Sequence, residues 1–258
     1  MRLSIITINY NNADGLERTI KSVICQTFTD YEYIIVDGGS TDGSLEIINK
    51  YDNYISKWVS EPDEGIYNAM NKGTQMASGE YLNYMNSGDC FCDAHVLEDI
   101  FLSNNNSDII TGMHEPNGIR NVGKNGITML SLYKWAIDHQ ASFIRRELCI
   151  KHPYDERYKI VSDWKFFIEV LIFDNCSFKY IERNIVKVES GGISETQHQL
   201  DSQERNAVLQ ELLPSRILSD YKRLAKADSP LLELTPELNK TVGKQRLVYR
   251  FAEFLLRL

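Results

Sequence analysis

Short apolar runs and amphipathic stretches alternate along the first 90 residues. Leu3 to Ile8 is a β-rich apolar run that stops at Asn9-Tyr10-Asn11-Asn12. Leu16, Ile20, Val23 and Ile24 then recur at three- and four-residue spacing, which predicts a helix with Asp14 as its cap. Tyr31 to Val36 reads as a buried strand ending in Asp37-Gly38-Gly39-Ser40-Thr41-Asp42-Gly43. A second helix carries Leu45, Ile47, Ile48 and Tyr51, and Ile55 to Val59 gives a third strand. A third helix spans about 65–77, and Tyr81 to Met85 is a fourth strand before Asn86-Ser87-Gly88-Asp89. This alternation, each strand closing in a Gly/Asp/Asn loop, predicts an α/β fold with a parallel sheet. Its ligand crevice should lie outside the strands' carboxyl ends.

Beyond Asp89 the pattern loosens. Asp108 to Gly112 reads as another strand, and Glu115 to Gly126 as a Gly/Asn-rich loop. An apolar helix begins near Ser162 and runs through Phe166 to Phe173, and Asn184 to Val188 is strand-like up to Gly191-Gly192-Ile193-Ser194. From about Gln199 the chain is charged and helical, broken by Pro214, Pro230 and Pro236. The expected organisation is one domain over 1–198 and a helical C-terminal extension over 199–258.

Composition narrows the function classes. With 258 residues, 43% apolar and 25% charged, the chain is ordinary globular material and long enough to bury a large core without staples. Its 28 basic against 36 acidic residues give a net charge of −8, which argues against a nucleic-acid partner. The five cysteines are scattered, and the Cys90-x-Cys92 pair lacks a second pair for zinc, so reduced thiols are expected. No run approaches the roughly 18 apolar residues of a membrane span, and the N-terminus enters a strand directly, so the expected location is cytoplasmic.

Three strand-end features carry candidate chemistry. Asp37 opens a Gly-rich loop, where a carboxylate either accepts the N–H groups of a nucleobase or simply caps the turn. Asp89 ends the fourth strand's loop, where a hard oxygen holds Mg²⁺ or Mn²⁺ against a diphosphate, or serves only as a turn residue. In Glu61-Pro62-Asp63-Glu64-Gly65-Ile66-Tyr67-Asn68-Ala69-Met70-Asn71-Lys72-Gly73, the residues Asn68, Asn71 and Lys72 share one side of the helix. That side faces either the crevice, with Lys72 on a phosphate, or solvent.

The segments S-I-I-T-I-N-Y-N, L-E-R-T-I-K-S-V-I-C-Q-T-F, I-I-V-D-G-G-S-T-D-G-S, E-P-D-E-G-I-Y-N-A-M-N-K-G and G-E-Y-L-N-Y-M-N-S-G-D occur in this order over the first hundred residues. Together they resemble the inverting family 2 glycosyltransferases of capsule and exopolysaccharide type. The resemblance implies a GT-A fold, a Rossmann-like mixed sheet flanked by helices. Residues 1–100 would then bind the nucleotide and 101–198 the acceptor. It assigns Tyr10 and Asp37 to the nucleobase and Asp63 to the base or ribose. Asn86 and Asp89 take the outer positions of a D-x-D-type metal motif, with Asp89 as the ligand. The motif departs from the family pattern at Asn86 and Gly88.

In the second half, His139-Gln140-Ala141-Ser142-Phe143-Ile144-Arg145 resembles the family's H-Q-x-x-F-x-R segment, which makes His139 a core histidine or a diphosphate contact. Ser162-Asp163-Trp164 resembles the stretch bearing the catalytic base. An inverting transferase needs one carboxylate within reach of the acceptor hydroxyl, which points to Asp163, with Asp155 as the alternative. Gly191-Gly192-Ile193-Ser194 matches a G-G-x-S near the donor, implying ligand contacts from Ser194, and His198 just beyond is read as having no metal role. The implied partners are a nucleotide-diphosphate sugar, UDP favoured, and a glycan or lipid-linked saccharide acceptor in surface polysaccharide synthesis. The rivals are a silent nucleotide-sugar-binding subunit and a sugar-nucleotide pyrophosphorylase. Val248, Phe251, Phe254 and Leu255 lie on one face of the last helix, which suits either peripheral membrane contact or packing on the domain or a homodimer partner.

Overall fold

The computed structural model describes residues 1–102, 106–115, 126–189, 191–192 and 196–226. Ser194, most of the loop expected after Glu115, and the apolar face at 248–255 lie outside the described residues. The chain divides into two compact units, 1–208 and 209–258.

The first unit is built on an eight-stranded sheet in the order β3-β2-β1-β4-β7-β6-β8-β5. Its first half follows the predicted alternation: β1 (Leu3–Asn9), α1 (Ala13–Ile24), β2 (Tyr31–Asp37), α2 (Ser44–Lys50), β3 (Lys57–Ser60), α3 (Ile66–Met76) and β4 (Tyr81–Tyr84). These four strands are mutually parallel. The second half adds β5 (Cys90–Phe91), α4 (Val96–Phe101), β6 (Ile109–Glu115), α5 (Met129–Lys134), β7 (Ser142–Arg145), α6 (Arg146–Lys151), α7 (Ser162–Ile168) and β8 (Phe178–Lys187). Strand β7 is antiparallel to both β4 and β6, β6 is parallel to β8, and β5 closes the edge antiparallel to β8. The sheet is therefore mixed rather than wholly parallel. β7 follows β6 through α5 and a 3₁₀ turn at His139–Ala141 and still runs antiparallel to it, so a helix between two strands does not by itself fix their direction.

The core explains the strand runs. Leu3, Ile5, Tyr33 and Ile35 are fully buried and pack with Leu16, Ile20 and Val23 from the apolar face of α1. Strands buried on both faces read as continuous apolar runs, which is why β1 and β2 stand out in sequence. Helix α1 is capped by Asn12, whose side chain accepts from the Gly15 N–H at 3.1 Å. Asp14, the expected cap, lies inside the first turn, where its charge favours the helix N-terminus. The unit ends within α8 (His198–Leu212). This helix is fixed by the Glu204 carboxylate, which accepts the Lys159 and Ile160 N–H groups at 2.9 Å each, and by Arg205 lying 4.6 Å over the Trp164 ring. In the second unit, α9 (Ser215–Lys226) follows Pro214. Among the described residues no helix is long and apolar enough to cross a membrane.

A buried carboxylate ties the amino ends of the central strands. Glu32 on β2 is 2% exposed and accepts from Ser4 Oγ at 2.7 Å, from Ser78 N at 2.5 Å and Oγ at 2.8 Å, with Lys57 Nζ at 3.1 Å. Burial raises its pKa, but these donors outweigh burial and lower it from 4.5 to about 2. The folded state thus holds this proton less tightly than the unfolded chain. The resulting stability is complete above about pH 4.5 and is lost as pH falls towards 2. Glu32→Gln should destabilise the protein by about 1–3 kcal/mol at pH 7, and the gap should narrow by pH 3. Urea unfolding at the two pH values measures this, and a pH-independent gap would contradict it.

Candidate active site

At the carboxyl ends of the parallel strands, register brings Asn9, Asp37 and Ser60 side by side on β1, β2 and β3. Asp37 is fully buried. Its Oδ1 accepts from Asn9 Nδ2 at 2.7 Å and Ser40 Oγ at 2.6 Å, and its Oδ2 from Ser40 N at 2.9 Å and Ser60 Oγ at 2.6 Å. Burial pushes its pKa up, and the four donors more than reverse that. A carboxylate has about four lone-pair sites, and all four are filled from within the chain. Asp37, expected at the nucleobase, is instead the buried post beneath the crevice.

The carboxylate facing the crevice comes from elsewhere. A Cβ on Gly38 would stand 2.7 Å from Asp63 Oδ2 and 3.2 Å from the Tyr10 ring. The missing side chain at 38 lets Asp63 and the 67%-exposed Tyr10 converge over the end of β2. Lys72 is not part of this patch: its Nζ lies 2.9 Å from Glu61 and 3.1 Å from the Pro62 carbonyl, holding the turn before α3. Asn68 and Asn71 are likewise occupied, both donating to the Glu156 carboxylate.

Thr19 on α1 organises the turn after β4. Its Oγ1 accepts from the Gly88 N–H at 2.9 Å and donates to the Asp89 carbonyl at 2.7 Å. Asp89 is 3% exposed, and its Oδ1 accepts the Glu189 N–H at 2.8 Å. Burial dominates and pushes the Asp89 carboxyl up to about 6 despite that hydrogen bond and the nearby His139. Gly88 has φ of +105°, and a Cβ there would run into Glu189 Oε2. The Glu189 carboxylate also pairs with Arg18 and accepts from Asn12 Nδ2 at 3.1 Å.

His139 joins this turn to α7. Its Nδ1 lies 2.8 Å from Asp163 Oδ2, and its Nε2 lies 3.3 Å from Asn86 Nδ2. Burial lowers the His139 pKa, but the Asp163 carboxylate outweighs it and raises the net value. A protonated ring donates through both nitrogens. The amide oxygen of Asn86 is buried and has no partner among the described residues. Tyr67 Oη completes the chain, 2.8 Å from Asp163 Oδ1 and 2.6 Å from the Ile160 carbonyl. Burial raises the Asp163 pKa, yet its bonds to His139 and Tyr67 keep it below the ordinary value, so it is an anion at neutral pH.

Asn86, Asp89, His139, Asp163 and Glu189 line one cleft of about 590 Å³. His198, Asp201 and Arg205 of α8 and Trp164 line it too. Asp155 does not: it pairs with Arg157 and Lys165 at 2.6 and 2.7 Å and lines a separate hollow beside Asn71 and His152. Its charge is committed to those cations, which removes it as the alternative base. Glu189, Thr19 and Tyr67 escaped the sequence reading. Tyr67 lay within a recognised motif, whereas nothing in sequence marks Glu189, which reaches position 88 by strand register alone.

Residues 4–126 match Glycosyl transferase family 2. A PGL/p-HBAD biosynthesis glycosyltransferase of Mycobacterium bovis is 32% identical over 203 residues, covering 75% of this chain and 79% of the relative. The chain belongs to glycosyltransferase family 2. An uncharacterized glycosyltransferase of Mycobacterium tuberculosis is 33% identical over 182 residues, 66% of this chain and 69% of the relative. Among solved structures, S. aureus TarS 1-349 in complex with UDP-GlcNAc aligns with a TM-score of 0.67 at 19% identity, over 95% of this chain and 78% of that one. The mannosyltransferase PcManGT from Pyrobaculum calidifontis, in complex with GDP-Man and Mn²⁺, aligns at 0.64 and 16% identity, over 95% of this chain and 82% of that one. These likenesses establish the GT-A fold.

In this glycosyltransferase the Tyr67 hydroxyl serves two buried acceptors. Tyr67→Phe removes the one O–H shared between them and should cost about 1–3 kcal/mol of stability, read from the denaturant midpoint. A shift under about 0.5 kcal/mol would mean that neither bond matters to the fold.

Proposed function

We propose that this glycosyltransferase moves a sugar from a UDP-linked donor to a hydroxyl of a glycan or lipid-linked saccharide, with inversion, in surface polysaccharide synthesis. One observation carries the reading: a buried acidic turn at Asp89 and a hydrogen-bonded carboxylate at Asp163 line a single cleft, with His139 and Asn86 between them. Displacement with inversion needs a base on one side of the reacting carbon and charge stabilisation at the leaving diphosphate on the other. The UDP-GlcNAc in the TarS structure and the GDP-Man and Mn²⁺ in the PcManGT structure support a nucleotide-sugar donor with a divalent cation.

Tyr10 and Asp63 form the base-binding patch over Gly38, the exposed ring stacking on the pyrimidine and the carboxylate accepting its imide N–H. The residues present fit a divalent cation. Asp89 is a buried carboxyl whose charge is otherwise poorly compensated, and Asn86 Oδ1 is a neighbouring oxygen without a partner among the described residues. Asp89 would hold the cation, assisted by Asn86. No three His, Cys, Asp or Glu groups converge among the described residues, so a cation held by Asp89 would need further oxygens from the donor. The bound cation supplies a hard positive charge against the departing diphosphate.

Asp163 accepts the acceptor hydroxyl's proton. Tyr67 and His139 hold its two oxygens in place and keep it ionised. His139, whose pKa the Asp163 carboxylate raises, stands between Asp163 and Asn86. Arg205 and His198, at the rim from α8, bound the side from which the acceptor enters.

Three outcomes test this reading. UDP with Mn²⁺ should raise the melting temperature of the wild type, and Asp63→Asn should weaken UDP binding by about tenfold, one lost charge-assisted hydrogen bond. Equal binding of all nucleoside diphosphates by both proteins would remove Asp63 from the base site. Asp163→Asn should lower kcat by about 10²- to 10⁴-fold with little change in UDP affinity. A loss confined to donor binding would instead place Asp163 on the donor.

A further inference from the structure

The N-S-G-D turn offers one carboxylate to a divalent cation, where the D-x-D pattern it resembles offers two. Strand pairing brings another to the same place. β5 and β8 are antiparallel with Cys90 opposite Lys187 and Phe91 opposite Val186. Carried two residues past the strand ends, that register sets Gly88 opposite Glu189. The bond from the Glu189 N–H to Asp89 Oδ1 at 2.8 Å holds the two segments together there. Gly88 presents no side chain, its φ of +105° disfavours any other residue, and the volume its Cβ would fill is taken by Glu189 Oε2. The Glu189 side chain is 42% exposed and, like Asp89, lines the cleft.

We propose that Glu189 supplies the second carboxylate of a divalent-cation site built on Asp89, delivered across the β5–β8 pair into the space left by Gly88. This rests on the donor-site reading above. Hard dications are held best by several oxygens, including anionic ones. Asp89, Glu189 and the donor diphosphate would supply these, with the unpartnered Asn86 Oδ1 adjacent. Arg18 is the present partner of Glu189. Both side chains of that pair are about half exposed, at 50% and 42%, and such pairs are weak enough to yield to a dication. Asn12, which donates to Glu189 Oε2, keeps the carboxylate aimed over Gly88.

The competing explanation is purely architectural: Glu189 pairs with Arg18 to fasten the end of β8 to α1. Mn²⁺ binding to the full chain, followed by electron paramagnetic resonance with and without UDP, separates the two. Glu189→Gln keeps the shape and the Asn12 bond, and should weaken Mn²⁺ binding by about tenfold or more. Arg18→Ala removes the ion pair and spares the carboxylate, and should leave Mn²⁺ affinity within about twofold or tighten it. If Glu189→Gln binds Mn²⁺ like the wild type, or if Arg18→Ala loses as much as Glu189→Gln, the proposal fails. Asp89→Asn, run alongside, separates the two levels. Loss with Asp89→Asn but not with Glu189→Gln overturns only the role of Glu189. No loss with either variant overturns the metal site itself.

Discussion

The buried carboxylate of Asp37 is the constraint on which the upper face of the sheet depends. It sits where three parallel strands end together and takes hydrogen bonds from Asn9 on one side and Ser60 on the other, at matching register. A carboxylate without solvent would be costly to bury alone, but here each oxygen is doubly satisfied. The two loops that follow are bound to each other as well: Ser40 Oγ accepts the Asn11 N–H, Asn11 Oδ1 accepts the Thr41 N–H, and Asp42 accepts the Ala13 N–H. The crevice therefore has a floor fixed by bonds rather than by apolar packing, and Tyr10 and Asp63 stand on a rigid base.

A second theme is the use of absent side chains. At Gly38 and Gly88 the backbone leaves room, and in each case a carboxylate from a distant segment enters: Asp63 at the first, Glu189 at the second. Gly38 follows the carboxyl end of β2, and Gly88 lies in the turn between β4 and β5. Moving an acidic group from the strand-end loop to another segment keeps the charge in the site while changing which element controls it. At position 88 that element is the end of β8, so the Asp89 side of the cleft is coupled to the register of the β5–β8 edge.

The Tyr67–Asp163–His139–Asn86 chain joins α3, α7, the 3₁₀ turn before β7 and the turn after β4. Each link offsets the burial of the next. Asp163 is held as an anion by the donors around it, and the Asp163 carboxylate in turn raises the His139 pKa against the effect of burial. Such a network fixes the relative positions of Tyr67, Asp163, His139 and Asn86.

Much of this was legible along the chain. Hydrophobic period gave the first four strands and the helices between them, because β1, β2 and β4 are buried on both faces and the helices on one. Motif order gave the family, and with it Asp89 and Asp163 as candidates, while His139 stayed open between a core and a site role until the structure put all three in one cleft. Asp14 was misread as a cap because Asn12 and Asp14 are both good capping residues, and only backbone geometry chooses between them. Asp37, Lys72 and Asp155 were assigned by residue type and position, and the structure commits all three to internal partners. The sequence by itself determined the local periodicity, the turn chemistry and the ordered motifs, since these depend on neighbours a few residues apart. Tertiary structure alone decided strand direction beyond β4, the burial of Asp37 and the arrival of Asp63 and Glu189 beside two glycines. Those outcomes depend on register between segments tens of residues apart, which no local pattern encodes.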